Sequence, residues 1–161
     1  MMGTIGANLT ATYTADTLKT SGAGWGVGDH FEDASGKIYK FVQFNNGVGD
    51  VAAVVGNVAY YYAVSGASAG QTTIVTMDVT DSGGIGAGVF QSIPADGEYC
   101  WLQIKGVATL TTALTAGADG NALTAIGTTD GTLDVSAAVT DAVVAFAIDA
   151  SAKIIFCDFP W

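Results

Sequence analysis

His30 is the sole histidine of this chain, and it lies in the run Asp29-His30-Phe31-Glu32-Asp33. An imidazole beside carboxylates can act as a general base held in orientation by an acid, the device hydrolases use to activate a hydroxyl. A hydroxyl in a suggestive context is present too. Gly66-Ala67-Ser68-Ala69-Gly70 has the GxSxG spacing of a nucleophile elbow. The elbow requires a strand before the serine and a helix after it, whereas Thr72 to Thr80 alternates in the manner of a strand. His30 also precedes Ser68, against the usual chain order of that triad. Ser68 therefore reads as part of a small-residue hairpin loop and His30 as part of a polar turn. No catalytic residue is assigned, and the expectation is that the protein is not an enzyme.

The other ligand-bearing patterns resolve in the same direction. Cys100 and Cys157 form no CxxC pair, and each sits in an apolar run (Tyr99-Cys100-Trp101, Phe156-Cys157-Asp158). Two buried small hydrophobes are expected there, with a disulfide as the alternative. Asp78-Val79-Thr80-Asp81-Ser82-Gly83-Gly84 and Asp119-Gly120-Asn121 offer oxygen ligands for a calcium ion, but neither has EF-hand spacing. Asp or Asn before Gly is the ordinary chemistry of tight turns, and a weak structural cation is the alternative. Gly83-Gly84-Ile85-Gly86-Ala87-Gly88 has the composition of a phosphate loop without the Lys-Ser/Thr that should follow, so a tightly turning surface loop is expected. No metal and no cofactor is expected. Asn8-Leu9-Thr10 is a glycosylation sequon that has meaning only in an exported chain.

Composition bounds the partners. The 161 residues carry a net charge of −10, with five basic residues against fifteen acidic ones. All five are lysines, at positions 19, 37, 40, 105 and 153, and arginine is absent. Phosphate recognition leans on arginine forks and lysine clusters, so nucleic acid and anionic membrane surfaces are excluded as partners. Half of the residues are hydrophobic and mean hydropathy is +0.42, which argues against disorder. No apolar run approaches the roughly 18 residues of a membrane helix, and Ala142 to Ile148 is the longest clean one. The N-terminus lacks a cationic start and an apolar core, which implies synthesis in a cytoplasm without export.

The elements that must carry these residues read as strands. Residues 1–23 are rich in Thr, Ala and Gly, with Tyr13 the one large side chain, and are expected to form an extended arm that orders only against something else. A single β domain is expected over 24–161. Its strands are placed at Gly36 to Phe44, Asn57 to Ser65, Thr72 to Thr80, Gly97 to Gly106, Val107 to Thr112, Thr132 to Val139, Ala142 to Asp149 and Ala152 to Phe159. A short helix is an option at Asp50 to Val55, with Asp50 as cap and Gly56 as terminator. Ala113-Leu114-Thr115-Ala116-Gly117 returns as Ala122-Leu123-Thr124-Ala125, which suggests two short strands around Asp119-Gly120-Asn121. About eight short strands without a βαβ rhythm predict an all-β fold, an antiparallel β-sandwich or β-barrel.

The aromatic residues carry the remaining signal. Tyr60, Tyr61 and Tyr62 are consecutive, so at least one faces away from a core, and the chain ends on Phe159-Pro160-Trp161. With Trp25 and Trp101 the tyrosines suggest a sugar-stacking platform. The C-terminal group suggests either docking into its own domain or a subunit interface. The residues expected at an interface are Thr4, Ile5, Asn8, Leu9, Tyr13, Tyr61, Phe159 and Trp161.

The segment Asp96-Gly97-Glu98-Tyr99-Cys100-Trp101-Leu102-Gln103-Ile104-Lys105-Gly106, continued by Val107-Ala108-Thr109-Leu110, resembles small head proteins of tailed bacteriophages. The Thr/Ala/Gly-rich stretch from Thr111 to Thr132 and the ending Cys157-Asp158-Phe159-Pro160 extend the likeness. The group is that of capsid decoration, or cement, proteins. The resemblance implies a virion protein on the outer capsid surface, a β-rich domain, no catalysis, the major capsid protein as partner, and a homo-oligomer, often a trimer. It transfers no residue roles. A carbohydrate- or ligand-binding β-sandwich module of a virion fibre or tail is the alternative reading.

Overall fold

β2 (Ile38–Phe44) and β6 (Tyr99–Thr109) form the spine of the molecule, paired antiparallel with Phe41 opposite Trp101 and Val42 opposite Cys100. The computed structural model describes residues 6–22, 24–63 and 73–160. Among them ten strands form one hydrogen-bonded sheet. β3 (Val58–Tyr62), β4 (Ile74–Thr76) and β5 (Ser82–Phe90) complete a ring with the spine. From β2 the pairing passes to β4, β3, β5 and β6, and β6 returns to β2. The result is a five-stranded closed barrel in which only the β2–β4 pair is parallel.

The fold then departs from a simple barrel. The last half of β6 leaves β5 and pairs with β10 (Ile154–Asp158), which pairs with β9 (Val143–Asp149). β7 (Ala122–Thr124) and β8 (Asp134–Val135) extend that second limb to its edge. β1 (His30–Glu32) lies on the outer edge of β2.

Strand alternation sends the side chains into three clusters. The barrel interior receives Val42, Phe44, Tyr61, Val75, Ala87, Phe90, Cys100 and Leu102, at least one from each of the five strands. Phe44 meets Phe90 edge to face, with ring centres 5.6 Å apart. A second core lies between the barrel wall (Val58, Tyr60, Val89, Ile104) and the second limb (Leu123, Val144, Ala145, Ala147, Ile155, Cys157), closed by Leu133 and Phe159. The third cluster is on the outside of the spine. There Tyr39, Phe41 and Trp101 are buried under Leu9, Tyr13, Leu18, Trp25 and Phe31.

The N-terminal segment is the cover of that third cluster. Tyr13 and Tyr99 exchange two backbone hydrogen bonds, of 2.9 and 2.8 Å, which add a one-residue bridge to the end of β6. A helical turn follows, α1 (Ala15–Thr20), started by a capping box in which Thr14 and Thr17 bond each other's backbone N–H. Sequence periodicity missed α1 because six residues are too few to show it. Asp50 to Val55, where the sequence allows a short helix, is irregular. Asp50 itself has φ of 55°, a left-handed backbone that a helix cap does not adopt.

Four other expectations are corrected. Gly83 to Gly88 is no loop but the body of β5. Its glycines are demanded by close approach: a Cβ on Gly86 would stand 2.7 Å from the Phe159 ring, and one on Gly88 would stand 2.8 Å from the Leu102 side chain. The strands placed at Gly97 to Gly106 and Val107 to Thr112 are the single strand β6, with Gly106 at φ of 96° inside it. Thr132 to Val139 keeps only the two residues of β8 in strand form. Of the Ala-Leu-Thr repeat, the second copy is β7 and the first is a loop.

Candidate functional site

The residues singled out for chemistry are scattered by the fold. His30 is exposed on β1, opposite Lys40 in register. Partial burial and the Lys40 charge hold its imidazole below the usual value, against a smaller opposing pull from Asp29. The Asp29 carboxylate meanwhile accepts from the Gly26 N–H at 2.7 Å. Ser68 and its GxSxG loop lie outside the described residues, as do Thr4, Ile5 and Trp161. Cys100 is sealed in the barrel and Cys157 in the second core, both as free thiols, and burial pushes each up to about 12. The two sulfurs occupy different cores, which overturns the disulfide alternative.

The acidity of the chain has a structural use. Ten of the fifteen acidic side chains accept a hydrogen bond from a backbone N–H in a loop or turn, at 2.6–3.1 Å. Asp78 is the densest case. It accepts from the N–H groups of Gly49 and Thr80 and from the Thr80 hydroxyl, while Asp81 accepts from Val48 and Asp130 from Val79. Together they fasten the 47–49 loop and the 3₁₀ turn Val79–Asp81. Asp141 binds the N–H groups of Ala137 and Ala138, and Asp149 that of Ala152. The Asp119-Gly120-Asn121 turn is used the same way, since Asp119 accepts from Ala150 and Asn121 from Ala118. Some are local turn bonds, as from Thr80 to Asp78, and others, as from Val79 to Asp130 and from Ala150 to Asp119, tie loops that are distant in sequence. Among the described residues no group of three or more His, Cys, Asp or Glu is placed to hold a metal ion.

The aromatic platform is dispersed in the same way. Tyr60 points into the second core, where its hydroxyl donates to the Thr132 carbonyl at 2.5 Å and accepts the Thr132 N–H at 2.9 Å. Tyr61 points into the barrel, where its hydroxyl takes a 2.8 Å hydrogen bond from the Lys40 ammonium. The ammonium also stands 5.1 Å from the centre of that ring. Burial holds Lys40 below its usual value. Tyr62 donates to the Asn45 side chain at 2.5 Å. Trp101 is buried below the N-terminal segment, 5.0 Å from Phe41 and 5.8 Å from Trp25 between ring centres. Tyr60, Tyr61 and Trp101 thus belong to three separate clusters and share no surface on which a sugar could stack.

Of the residues expected at an interface, Tyr61 and Phe159 are buried inside the chain's own cores. Leu9 and Tyr13 pack on the outside of the spine. Asn8 caps a local turn through Thr10. The C-terminal aromatic group had two readings, and for Phe159 the structure gives the intramolecular one. Alternation missed a different feature, the solvent side of the second limb. There Val107, Phe146, Ile148 and Phe156 are each 40–47% exposed. The signal for it was present: Val143 to Ile148 is apolar at every position, as a strand buried on both faces would be.

Comparison of the chain with protein-family models, with curated proteins and with solved structures returns no match. No helix of the described residues is long and apolar enough to cross a membrane. The geometry offers a closed barrel, loops held by carboxylates and an apolar outer face.

Proposed function

We propose that this chain is a structural, non-enzymatic virion protein that binds the outer surface of a bacteriophage capsid through the major capsid protein and stabilises the shell. The observation that carries the reading is the use of the acidic side chains. A chain that commits ten carboxylates to its own loop amides is built for rigidity at its turns, and loops are where most domains are mobile. A reinforcing protein needs that property, because it strengthens a shell only as far as it resists deformation itself. The net charge of −10 without arginine suits a surface turned toward water and away from packaged DNA. The resemblance of the 96–132 region to decoration proteins points the same way.

The test is addition of the purified chain to particles that lack it. Bound copies per capsid protein and the temperature at which particles release DNA are measured. Saturable binding at a fixed ratio, with release moved to higher temperature, is expected. Folded protein that does not bind such particles at any concentration would exclude the reading.

A further inference from the structure

β6, β10 and β9 turn one side of their pleat into the second core and the other side toward solvent. On the solvent side the register places Val107, Phe156 and Phe146 in one row across the three strands. Their exposures are 44%, 40% and 46%. Ile148 is left unpaired by the register shift between Ile154 and Ile155, and is 47% exposed on the same side. Neighbouring strands are about 4.8 Å apart, so these side chains form one continuous apolar patch. Contiguous patches of this kind on a soluble domain mark places where another surface docks.

We propose that this face packs against the same face of a second copy of the chain, forming a twofold pair. Charge selects the occupant. Two copies at −10 each repel wherever acidic surfaces meet. The charges at its border offset one another: Lys105 and Asp158 are opposite in register and 3.5 Å apart, and Lys37 lies beside Gly106. Asp149, at the other end of β9, turns back to its own loop, accepting from the Ala152 N–H at 2.8 Å and the Ser151 hydroxyl at 2.7 Å. The pair of Lys105 and Asp158 is complementary to itself. Under a twofold axis Lys105 of one copy can meet the partner's Asp158, and the reciprocal contact forms by symmetry. Depletion of charge around a core of phenylalanines is also the composition of an interface centre. The inference does not depend on the capsid reading.

Three strands at about 4.8 Å spacing and five residues at about 3.4 Å bound the size of the face. Two such faces cover on the order of 500 Å² of flat area in total, below the size of a standard interface, so a weak pair that forms at hundreds of micromolar is expected. Sedimentation of the full chain from about 1 µM to about 1 mM should show the mass rise from one chain to two. Phe146→Lys with Phe156→Lys should remain a single chain over the whole range, with an unchanged circular dichroism spectrum. If that double variant does not fold, Ile148→Lys and Val107→Lys alone should each weaken association at least tenfold. One chain at every concentration, three chains, or pairing undiminished in the folded lysine variants would overturn the proposal.

Discussion

β6 carries two outward apolar faces with opposite fates. Around Tyr99 and Trp101 the face is built from large rings, with centres 5.0–6.4 Å apart, and the chain's own N-terminal segment lies over it. Around Val107 the face continues onto Phe156 and Phe146, and no described segment covers it. The covering segment brings three apolar anchors, Leu9, Tyr13 and Leu18, on a background of polar and small residues. It ties itself down through one bridge to β6. A short arm with three anchors can seal one face, not two. The difference shows how a strand of eleven residues serves stability at one end and presents surface at the other.

Removing the centre of the covered face should have the largest effect. Trp101 is 1% exposed and touches rings from β1, β2 and, through Trp25, the loop that leads into β1. Trp101→Ala should cost about 3–5 kcal/mol in denaturant unfolding, since a large aromatic is lost from a packed site and the void cannot close. Deleting residues up to 20 breaks the comparison differently, by making both faces bare. The loss should be smaller, about 2–3 kcal/mol, because released backbone and side-chain entropy offsets part of the lost burial. An environment-sensitive dye should bind the shortened chain and not the full one. A shortened chain of unchanged stability would mean that the segment contributes no cover.

The all-β class was legible because alternation and turn residues are local signals, and β2, β9 and β10 stand close to where their sequences place them. Closure of the barrel was not. It depends on β2 finding β6 and β4 finding β3, pairings fixed by which faces bury each other rather than by any spacing along the chain. The glycines of β5 misled for a related reason. Gly86 and Gly88 are there because Phe159 and Leu102 come close, and those neighbours are distant in sequence. For the candidate site, His30, Cys100 and Cys157 could be named from the sequence, but that the fold places them on β1 and in two separate cores is a tertiary fact. The division of Tyr60 and Tyr61 between two cores follows from alternation once the strand is placed. The exposed row at Val107, Phe156 and Phe146 needed the register, and a register is a tertiary fact.

Rigidity on both faces depends on the pinned loops, which gives a third and smaller effect. Burial alone would raise the Asp78 carboxyl, but the hydrogen bonds from Thr80 and Gly49 outweigh it and hold it below the ordinary 3.8. Asp33 and Asp149 are held low by bonds from Ser35 and Ala152 respectively. A carboxylate whose folded value is depressed adds stability that is fully present above its unfolded value. That stability is lost as pH falls through the lower, folded value. Stability should therefore be level from pH 7 to about 5 and drop below about 3.8, with thermal unfolding as the measurement. Asp78→Ala should cost about 1–2 kcal/mol at neutral pH and flatten part of the acid limb. An acid limb identical to that of the parent chain would show that Asp78 is not one of the groups responsible.

The bare face supplies the smallest expected effect and the sharpest contrast with Trp101. Phe156 lies one strand from β6's covered region, and it is an aromatic on the same sheet, yet 40% of it faces solvent. Below micromolar concentration, where a weak pair is dissociated, Phe156→Ser should change unfolding free energy by no more than about 0.5–1 kcal/mol. That is the worth of its cross-strand contacts with Val107 and Phe146. At high concentration the same substitution should lower the melting temperature further, because ligand-like stabilisation by a second copy is lost. A cost for Phe156→Ser that is the same at both concentrations would assign the residue to the chain's own stability. A cost that grows with concentration measures how much of that apolar row belongs to an interface.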